Sequence, residues 1–391
     1  MVLRGTNQEM GRPYNRRIVL ELIRLQGPIA RNDIADLIGL TVQTVSSIVR
    51  ELEEDGLLIS SRLKPTGRGV PPSKLTVNPD GGRAFGIQIT PLGIEVALVN
   101  LGGRIVAAIH ESVHNVSAKQ AFSIIRKLVK MLQAQEPGSR LLGVGLAMPG
   151  PFGVESMSFI GPTTLSGWQN VNIHKQLEDA TGLPAFLEID MAAAALGEQL
   201  YGHGINLSDY YYLFFGFGLG GTMVHGGEAV RGAWGNAGEI GHLTVLPGGE
   251  LCTCGNRGCL ERYVSLEALR RHNIPEAKWV AEIAPIFAQA IRMIENMYDP
   301  QSVVLGGLAP PSLLARLAAM AGELGNSVAA RKDRTVPRLM VASLGEDSVV
   351  RGAAALAVRG ALAPRDGKMF KPLSGKMTSK GVAHGTATLG A

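Results

Sequence analysis

All three cysteines of the chain lie in one short run, and this clustering is the feature of the sequence that points most directly to chemistry. The run Cys252–Cys259 has one residue between its first two cysteines and four before the third, with glycines among them. In a reducing compartment, clustered cysteines favour metal binding over a disulfide. Thiolates at this spacing can fold back around a tetrahedral ion, because the glycines permit tight turns.

A nearby histidine completes the predicted ligand set. His242 precedes the first cysteine by ten residues, and its imidazole is the expected fourth ligand. Three thiolates and one imidazole form a closed site that suits a single structural Zn²⁺ per chain. The predicted ligands are His242, Cys252, Cys254 and Cys259. Two alternatives stay open: a redox-sensing pair of thiols, or three free thiols.

The N-terminal part has the apolar spacing of three short helices between Tyr14 and Asp55. In the first helix the apolar positions are Ile18, Val19, Leu22 and Ile23. The second helix is predicted at roughly Arg31–Ile38, and Gly39 begins a tight turn after it. Thr41 is then a suitable N-cap for the third helix, since its hydroxyl can accept a hydrogen bond from the first turn.

The third predicted helix has two faces of different character. Its inward stripe is expected to contain Val42, Val45, Val49 and Leu52. The opposite face carries small or polar groups that can reach base edges and phosphates, namely Gln43, Thr44, Ser47 and Arg50. A helix, a glycine-containing turn and a second helix with a polar N-terminal face are typical of a helix-turn-helix.

A two-stranded wing is predicted to follow these helices. Two short apolar segments, Leu57–Ile59 and Leu75–Val77, flank a basic loop at Lys64–Ser73. Glycines on both sides of Arg68 would let its guanidinium enter a minor groove. The predicted DNA contacts are Arg31, Thr41, Gln43, Thr44, Ser47, Arg50 and Arg68. The alternative is a small helical bundle that binds protein instead.

The charge distribution agrees with a nucleic-acid contact at the N-terminal end. The chain has a net charge of +5, and the segment through Asn78 holds 11 Lys and Arg against 8 Asp and Glu, a net of +3. About a fifth of the chain therefore carries most of the positive surplus. A basic block at one end favours a nucleic-acid partner.

Beyond Asn78–Gly82, extended and helical segments alternate, as in an α/β domain. Predicted strands are Phe85–Ile89, Ile94–Val99 and Leu142–Ala147, and predicted helices are Phe122–Leu132 and Ile173–Ala180. The predicted organisation is a DNA-binding domain at 1–79, a sensing domain with the zinc loop at 80–364, and a disordered tail at 365–391.

Several motifs together resemble the ROK family of sugar kinases and sugar-responsive repressors. They are Gly238–His242, the cysteine run continuing to Glu261, Phe186–Asp190 before an alanine-rich helix, Gly216–Gly221, and Asp299-Pro300 before Val303–Gly307. The likeness covers nearly the whole chain, because repressor members also carry an N-terminal winged helix-turn-helix. It implies a winged helix-turn-helix followed by a two-lobed, actin-like (ribonuclease-H-like) ROK domain with a sugar in the cleft.

The resemblance also implies roles for individual residues. Asp190 matches the aspartate that accepts a proton from the attacking sugar hydroxyl in the kinases. Glu239, His242 and Glu261 match positions that hydrogen-bond sugar hydroxyls. Carboxylates accept hydroxyl protons, and an imidazole held by zinc through one nitrogen can orient a ligand with the other.

The phosphate side of the expected cleft departs from the kinase pattern. Gln88 stands where the kinases have an aspartate, which removes a charge that Mg²⁺ needs. Pro91 removes a backbone N–H, and Phe217 replaces a threonine. These changes predict that the protein is not an enzyme and uses no ATP, with Asp190 as a hydroxyl acceptor. Ile189 and Ala192 replace two asparagines, which leaves the identity of the sugar open.

The resulting hypothesis is a cytoplasmic transcriptional regulator, a repressor of carbohydrate-utilisation genes. It would bind operator DNA as a homodimer or homotetramer and respond to a sugar or sugar derivative without phosphorylating it. No apolar run is long enough to cross a membrane, and the first residues have no signal-peptide pattern. Two alternatives are a sugar kinase with an attached DNA-binding domain, and a regulator that responds to a protein partner.

Overall fold

The computed structural model describes residues 11–62, 73–150, 165, 168, 171–233, 235–321 and 324–362. The N-terminal elements are α1 (Arg12–Gln26), β1 (Ile29–Ala30), α2 (Arg31–Ile38), α3 (Val42–Glu54), β2 (Leu58–Arg62) and β3 (Ser73–Val77). The strands form a sheet in the order β1-β3-β2. The three predicted helices and the paired wing strands are therefore confirmed, and β1 adds a third strand. The predicted contact Arg68 and the predicted tail at 365–391 lie outside the described residues.

The turn before α3 has the predicted geometry. Gly39 ends α2 in the left-handed region at φ 71°, which glycine adopts without a steric penalty. The Thr41 hydroxyl accepts a hydrogen bond from the Thr44 backbone N–H at 3.1 Å, so the N-cap prediction is confirmed. The predicted inward stripe was wrong at one position. Val42 is 44% exposed, and Ile48 joins the buried residues instead. Val42 lies in the first turn, beyond the elements that cover the rest of α3.

The first lobe of the larger domain is built on a five-stranded sheet. Its elements are β4 (Arg83–Thr90), β5 (Gly93–Asn100), β6 (Ile105–Ser112), α4 (Ala118–Gln135), β7 (Leu141–Met148), α5 (Ile173–Thr181) and β8 (Ala185–Ile189). The strand order is β6-β5-β4-β7-β8. Strand β4 pairs antiparallel with β5 and parallel with β7, and β7 pairs parallel with β8. The strands and helices predicted in this region are all present, each with longer bounds.

The second lobe repeats this plan. After α6 (Asp190–Tyr201) come β9 (Tyr210–Phe215), β10 (Leu219–His225), β11 (Glu228–Ala229), α7 (Leu266–His272), α8 (Glu276–Tyr298), β12 (Ser302–Gly307), α9 (Pro311–Met320), β13 (Leu339–Val341) and α10 (Ser348–Leu362). The strand order is β11-β10-β9-β12-β13. Aromatic side chains such as Phe215, Trp279 and Phe287 fill its core. Two sheets with helices against them agree with the predicted α/β fold.

Helices α6 and α10 pack against each other at very close range. A Cβ atom at Gly352 of α10 would lie 1.7 Å from the Ala193 carbonyl oxygen of α6, and one at Gly197 would lie 2.5 Å from the Ser348 carbonyl oxygen. Helix α10 is equally close to the first sheet, since a Cβ at Gly145 of β7 would lie 1.8 Å from the Ala353 carbonyl oxygen. Only glycine permits these approaches, so the two helices and the sheet form one tightly packed unit.

The N-terminal segment is packed onto the first lobe. Its hydrophobic core includes Leu101 and Leu142, which belong to the first lobe, and is extended by Leu362 of α10. The Asn78 side-chain amide donates to the Gly56 carbonyl at 2.8 Å, and Arg140 donates to the Asp55 carbonyl at 2.6 Å. Among the described residues, no helix is both long enough and apolar enough to span a bilayer.

Candidate functional site

A cleft between the two lobes collects the acidic and histidine side chains singled out in the sequence. It is lined by Asp190, Glu239, His242 and Glu261, together with Thr90, Pro91, Pro149, Gly150, Thr253 and Phe217 among others. The first lobe contributes Asp190, and the second contributes the other three. The structure therefore brings together all four predicted ligand contacts, although they lie up to 71 residues apart in the chain.

Local structure explains why each side chain faces the cleft. Asp190 begins α6 directly after β8, and its Oδ1 accepts a hydrogen bond from the Met191 backbone N–H at 2.8 Å. Gly238 has φ 101°, and a Cβ there would lie 1.8 Å from the Gly221 carbonyl oxygen of β10. This tight approach places Glu239, the next residue, against the second sheet. His242 and Glu261 lie in two short 3₁₀ turns that contact each other.

The cleft carries a concentration of negative charge. Burial raises the pKa of Asp190 to about 6, and the Glu239 carboxylate contributes to that rise. Burial also raises the pKa of Glu239, with Glu261 adding to the shift and His242 opposing it. One carboxylate oxygen of Glu239 lies 3.9 Å from His242 Nε2, and one of Glu261 lies 3.6 Å from His242 Nδ1. Partly desolvated carboxylates are suited to accept hydrogen bonds from hydroxyl groups.

The three cysteines and His242 converge beside the cleft. One ligand atom from each of His242, Cys252, Cys254 and Cys259 lies within 4.8 Å of the others. The Cys254 and Cys259 sulfurs are 3.6 Å apart, and Cys252 Sγ is 3.6 Å from His242 Nδ1. A tetrahedral zinc ion with Zn–S bonds of about 2.3 Å and a Zn–N bond of about 2.0 Å requires separations of roughly 3.5–3.8 Å. The donor set and its spacing therefore fit zinc.

Glycines shape the loop that carries the sulfurs. Gly255 and Gly258 have φ of 88° and 78°, and a Cβ at Gly258 would lie 1.7 Å from the Leu246 carbonyl oxygen. Backbone bridges between Leu251 and Arg257 and between Thr244 and Cys259 close the loop. The loop thus folds back on itself through its own backbone, as the spacing in the sequence predicts.

Glu261 connects the cysteine cluster with the cleft. Its Oε1 lies 3.2 Å from Cys252 Sγ, where the thiol donates to the carboxylate. Burial raises the pKa of the Cys252 thiol, and Glu261 adds to that rise. His242 presents Nδ1 to the sulfur and Nε2 toward Glu239. The ring can thus serve the metal with one nitrogen and a ligand in the cleft with the other.

Strand β4, the first strand of the larger domain, carries Gln88, the residue singled out in the predicted phosphate hairpin. Gln88 is only 4% exposed, and its Nε2 has no hydrogen-bond partner among the described residues. Glu95 lies opposite Gln88 on β5, and burial raises its pKa, with Asp347 and Glu346 adding to the rise and His110 opposing it.

The predicted DNA-contact residues of α2, α3 and the turn between them fall into two groups, exposed residues and residues that bond within the protein. Gln43, Ser47 and Arg50 are exposed along one face. Thr41 and Thr44 bond to each other through their hydroxyls at 2.8 Å, and Arg31 forms an ion pair with Glu53 at 3.2 Å. These three side chains therefore already have partners within the protein.

Sequence reasoning missed two further features of the sites. Exposed Val42 extends the α3 face with an apolar group that can contact a thymine methyl; its first-turn position was the available signal. The Glu188 carboxylate in β8, next to the cleft, is buried and forms an ion pair with Arg231 of the second lobe. No local pattern links these two residues, which are 43 positions apart.

Comparison with known families agrees with both parts of the architecture. The ROK family model matches residues 84–278, and a winged helix-turn-helix DNA-binding model matches residues 12–59. The chain belongs to the ROK family. Its N-terminal helices and paired strands correspond to the winged helix-turn-helix, and the cleft and cysteine loop lie in or next to the ROK match.

Two curated relatives are xylose repressors. The chain is 32% identical to that of Caldicellulosiruptor bescii over 268 residues, which cover 67% of this chain and 66% of that protein. It is 25% identical to that of Bacillus subtilis over 374 residues, covering 90% of this chain and 97% of the relative. A crystal structure of a ROK family transcriptional regulator, a homologue of the E. coli MLC protein, matches with a TM-score of 0.70 and 22% identity. It covers 90% of this chain and 96% of that one, and confirms the fold over both parts.

Proposed function

We propose that this protein is a transcriptional repressor of carbohydrate-utilisation genes whose affinity for operator DNA responds to a sugar bound in the cleft. The observation that carries the proposal is the presence, in one packed chain, of an exposed helix-turn-helix face and a cleft lined by three carboxylates and a histidine. Relatives named xylose repressors support it and make D-xylose the first sugar to test.

The DNA-binding part of the proposal rests on α3. Its exposed residues Gln43, Ser47 and Arg50 lie on one face, and Val42 extends that face at the N-terminal end of the helix. In a helix-turn-helix this end of the second helix contacts base edges in the major groove. A homodimer or homotetramer would present two such helices to a palindromic operator.

The DNA test is selection of bound sequences from a random duplex library, followed by mobility shift with the recovered sequence. We expect a palindromic site and an affinity that falls steeply with salt, because lysine and arginine contacts to phosphate release counterions. Equal binding to the selected and to unrelated DNA would contradict the proposal.

The sugar part of the proposal rests on the arrangement across the cleft. A sugar that bonds to Asp190 from the first lobe and to Glu239, His242 and Glu261 from the second would hold the lobes together. The test is a thermal-shift and calorimetric panel containing D-xylose, D-glucose and N-acetyl-D-mannosamine, since a ligand of the folded state raises its stability. Asp190→Ala should abolish the shift. Asp179→Ala, which removes an exposed carboxylate of α5, should retain it.

The cysteine cluster is proposed to hold one structural zinc through His242, Cys252, Cys254 and Cys259. A zinc ion held there would have four protein ligands and no open position for a substrate. The chain's own contribution is to hold the 3₁₀ turns of His242 and Glu261 together, so that His242 Nε2 and the Glu261 carboxylate keep their positions in the cleft.

Phosphoryl transfer is not part of the proposed function. Gln88 in place of an aspartate, Pro91 at the cleft edge and Phe217 in the second glycine loop remove the charge and the donors that a nucleotide would need. The alternative, a sugar kinase with an attached DNA-binding domain, predicts ADP release with ATP and a sugar. A coupled assay over the same panel distinguishes the two, and sustained turnover would favour the kinase.

A further inference from the structure

Helix α6 reaches from the cleft to the DNA-binding segment. Its first residue, Asp190, lines the cleft, and its last turn contacts α1, where the Arg24 guanidinium donates to the Leu200 carbonyl oxygen at 3.2 Å. Carbonyls in the last turn of a helix lack donors within the helix, and the helix dipole favours a cation there. Arg24 is also held by its own helix through an ion pair with Glu21 at 2.6 Å. The contact is therefore well suited to fix the position of α1 relative to α6.

The same helix is anchored to the second lobe. The Glu198 carboxylate is fully buried and accepts hydrogen bonds from the Leu344 backbone N–H at 2.8 Å and from the Ser343 hydroxyl at 3.1 Å. It also accepts one from the His203 backbone N–H at 2.9 Å, directly after α6. A buried carboxylate with three donors is costly to displace. Movement of the second lobe at Leu344 would therefore be transmitted to α6.

A second path leads to the same place. Helix α10 packs on α6 through Gly352 and Gly197, and its final residues Val358 and Leu362 pack against the core of the DNA-binding segment. Tyr201, at the end of α6, lines a pocket at this junction together with Arg24 and Leu362. Both helices thus end on the DNA-binding segment. Of the two, α6 is the one whose first residue is a carboxylate of the cleft.

We propose that α6 transmits occupancy of the cleft to the DNA-binding segment, and that Arg24 is a positioning residue whose bond to the Leu200 carbonyl completes this connection. The proposal rests on the proposed sugar-responsive function. A ligand that bonds Asp190 together with the second-lobe residues of the cleft favours one arrangement of α6, with the segment at Leu344 that Glu198 anchors, relative to those cleft residues. Because α1 is bonded to the far end of α6, the orientation of α3 differs between the occupied and empty states, and this difference couples the two sites.

The test compares two arginines that make the same kind of bond. Arg24→Ala removes the contact to α6, and Arg140→Ala removes an arginine-to-carbonyl contact between the first lobe and Asp55 that does not involve α6. For each protein, affinity for the selected operator is measured by fluorescence anisotropy without and with saturating D-xylose, or the panel sugar that gives the largest thermal shift. Calorimetry gives the affinity for the sugar alone.

We expect Arg24→Ala to reduce the sugar-induced change in operator affinity by roughly threefold to tenfold. A reduction of this size corresponds to losing one charged hydrogen bond from a coupling free energy of typical magnitude. Its sugar affinity without DNA should stay within about twofold of the wild type, and Arg24→Lys should restore part of the response. Arg140→Ala should keep the full response. A full response in Arg24→Ala, or an equal loss in Arg140→Ala, would overturn the proposal. A wild-type protein that binds the operator but responds to no sugar would refute the proposed function as well.

Discussion

Replacing Asp190 by asparagine should stabilise the protein near neutral pH while abolishing its response to sugar. The carboxylate begins α6 inside the cleft, and burial raises its pKa from 3.8 to about 6. A group whose pKa is raised on folding costs stability when ionised. The cost is absent below the unfolded pKa near 3.8, grows as the pH rises to about 6, and stays constant above. Asparagine retains the oxygen that accepts the Met191 N–H bond but removes the charge.

The expected gain in the free energy of unfolding follows from the shift in the pKa of Asp190. A change of about two pKa units corresponds to about 3 kcal/mol of unfolding free energy. Asp190→Asn should therefore exceed the wild type by about 3 kcal/mol at pH 7.5 and by about 1 kcal/mol at pH 4.5. Taking the difference between the two proteins at each pH cancels the contribution of titrating groups that do not interact with Asp190, including the cysteines.

Urea unfolding followed by tryptophan fluorescence at six pH values from 4.5 to 8 is the appropriate assay. Asp179→Asn serves as the matched control, because its carboxylate is exposed on α5, and its difference from the wild type should not rise with pH. A difference for Asp190→Asn that is independent of pH, or a loss of stability at pH 7.5, would refute the reasoning. So would an unchanged calorimetric response to the panel sugars.

Three further predictions concern the metal, the DNA and the helix pair. Cys254→Ser should reduce the melting temperature and lower the zinc content, measured by elemental analysis, below about one ion per chain. The control Thr253→Ala should retain the ion. Equal zinc contents in the two variants would show that the ligands are misassigned. Arg50→Ala should weaken operator binding and reduce the slope of log affinity against log salt by about one. Arg126→Ala, an exposed arginine on α4, is the control, and equal slopes would exclude a phosphate contact for Arg50. Gly352→Ala should lower the free energy of unfolding by about 1–3 kcal/mol, because its Cβ would overlap a carbonyl of α6; urea unfolding with an unchanged midpoint would show that the helices separate easily.

Features with local causes could be predicted from the sequence. The N-cap at Thr41 and the left-handed Gly39 depend on a few neighbouring residues, and both are as predicted. The convergence of His242 with the cysteine loop followed from residue types and short spacing. The cleft could be anticipated only through the family motifs, since no spacing rule places Asp190 opposite a residue 71 positions later.

The remaining features depend on tertiary packing. Periodicity put Val42 in the inward stripe, but the described elements cover the first turn of α3 only in part, and the side chain is 44% exposed. The bond between Arg24 and Leu200 joins residues 176 positions apart, and the anchoring of Glu198 by Leu344 spans 146. An arginine on an amphipathic helix and a glutamate in an alanine-rich one have no sequence signature that distinguishes these roles from solvent exposure.

The shared core at the start of the larger domain limits how freely the parts of this protein can be exchanged. Leu101 and Leu142 belong to the first lobe by position, yet they complete the hydrophobic core of the winged helix segment. Cutting the chain after Val77 would leave the apolar surface beneath Leu57 and Leu58 open to water. A chimera that joins this segment to a different sensor therefore needs apolar side chains at the positions equivalent to Leu101 and Leu142. New operator specificity is acquired more simply by changing exposed residues of α3 within the intact chain.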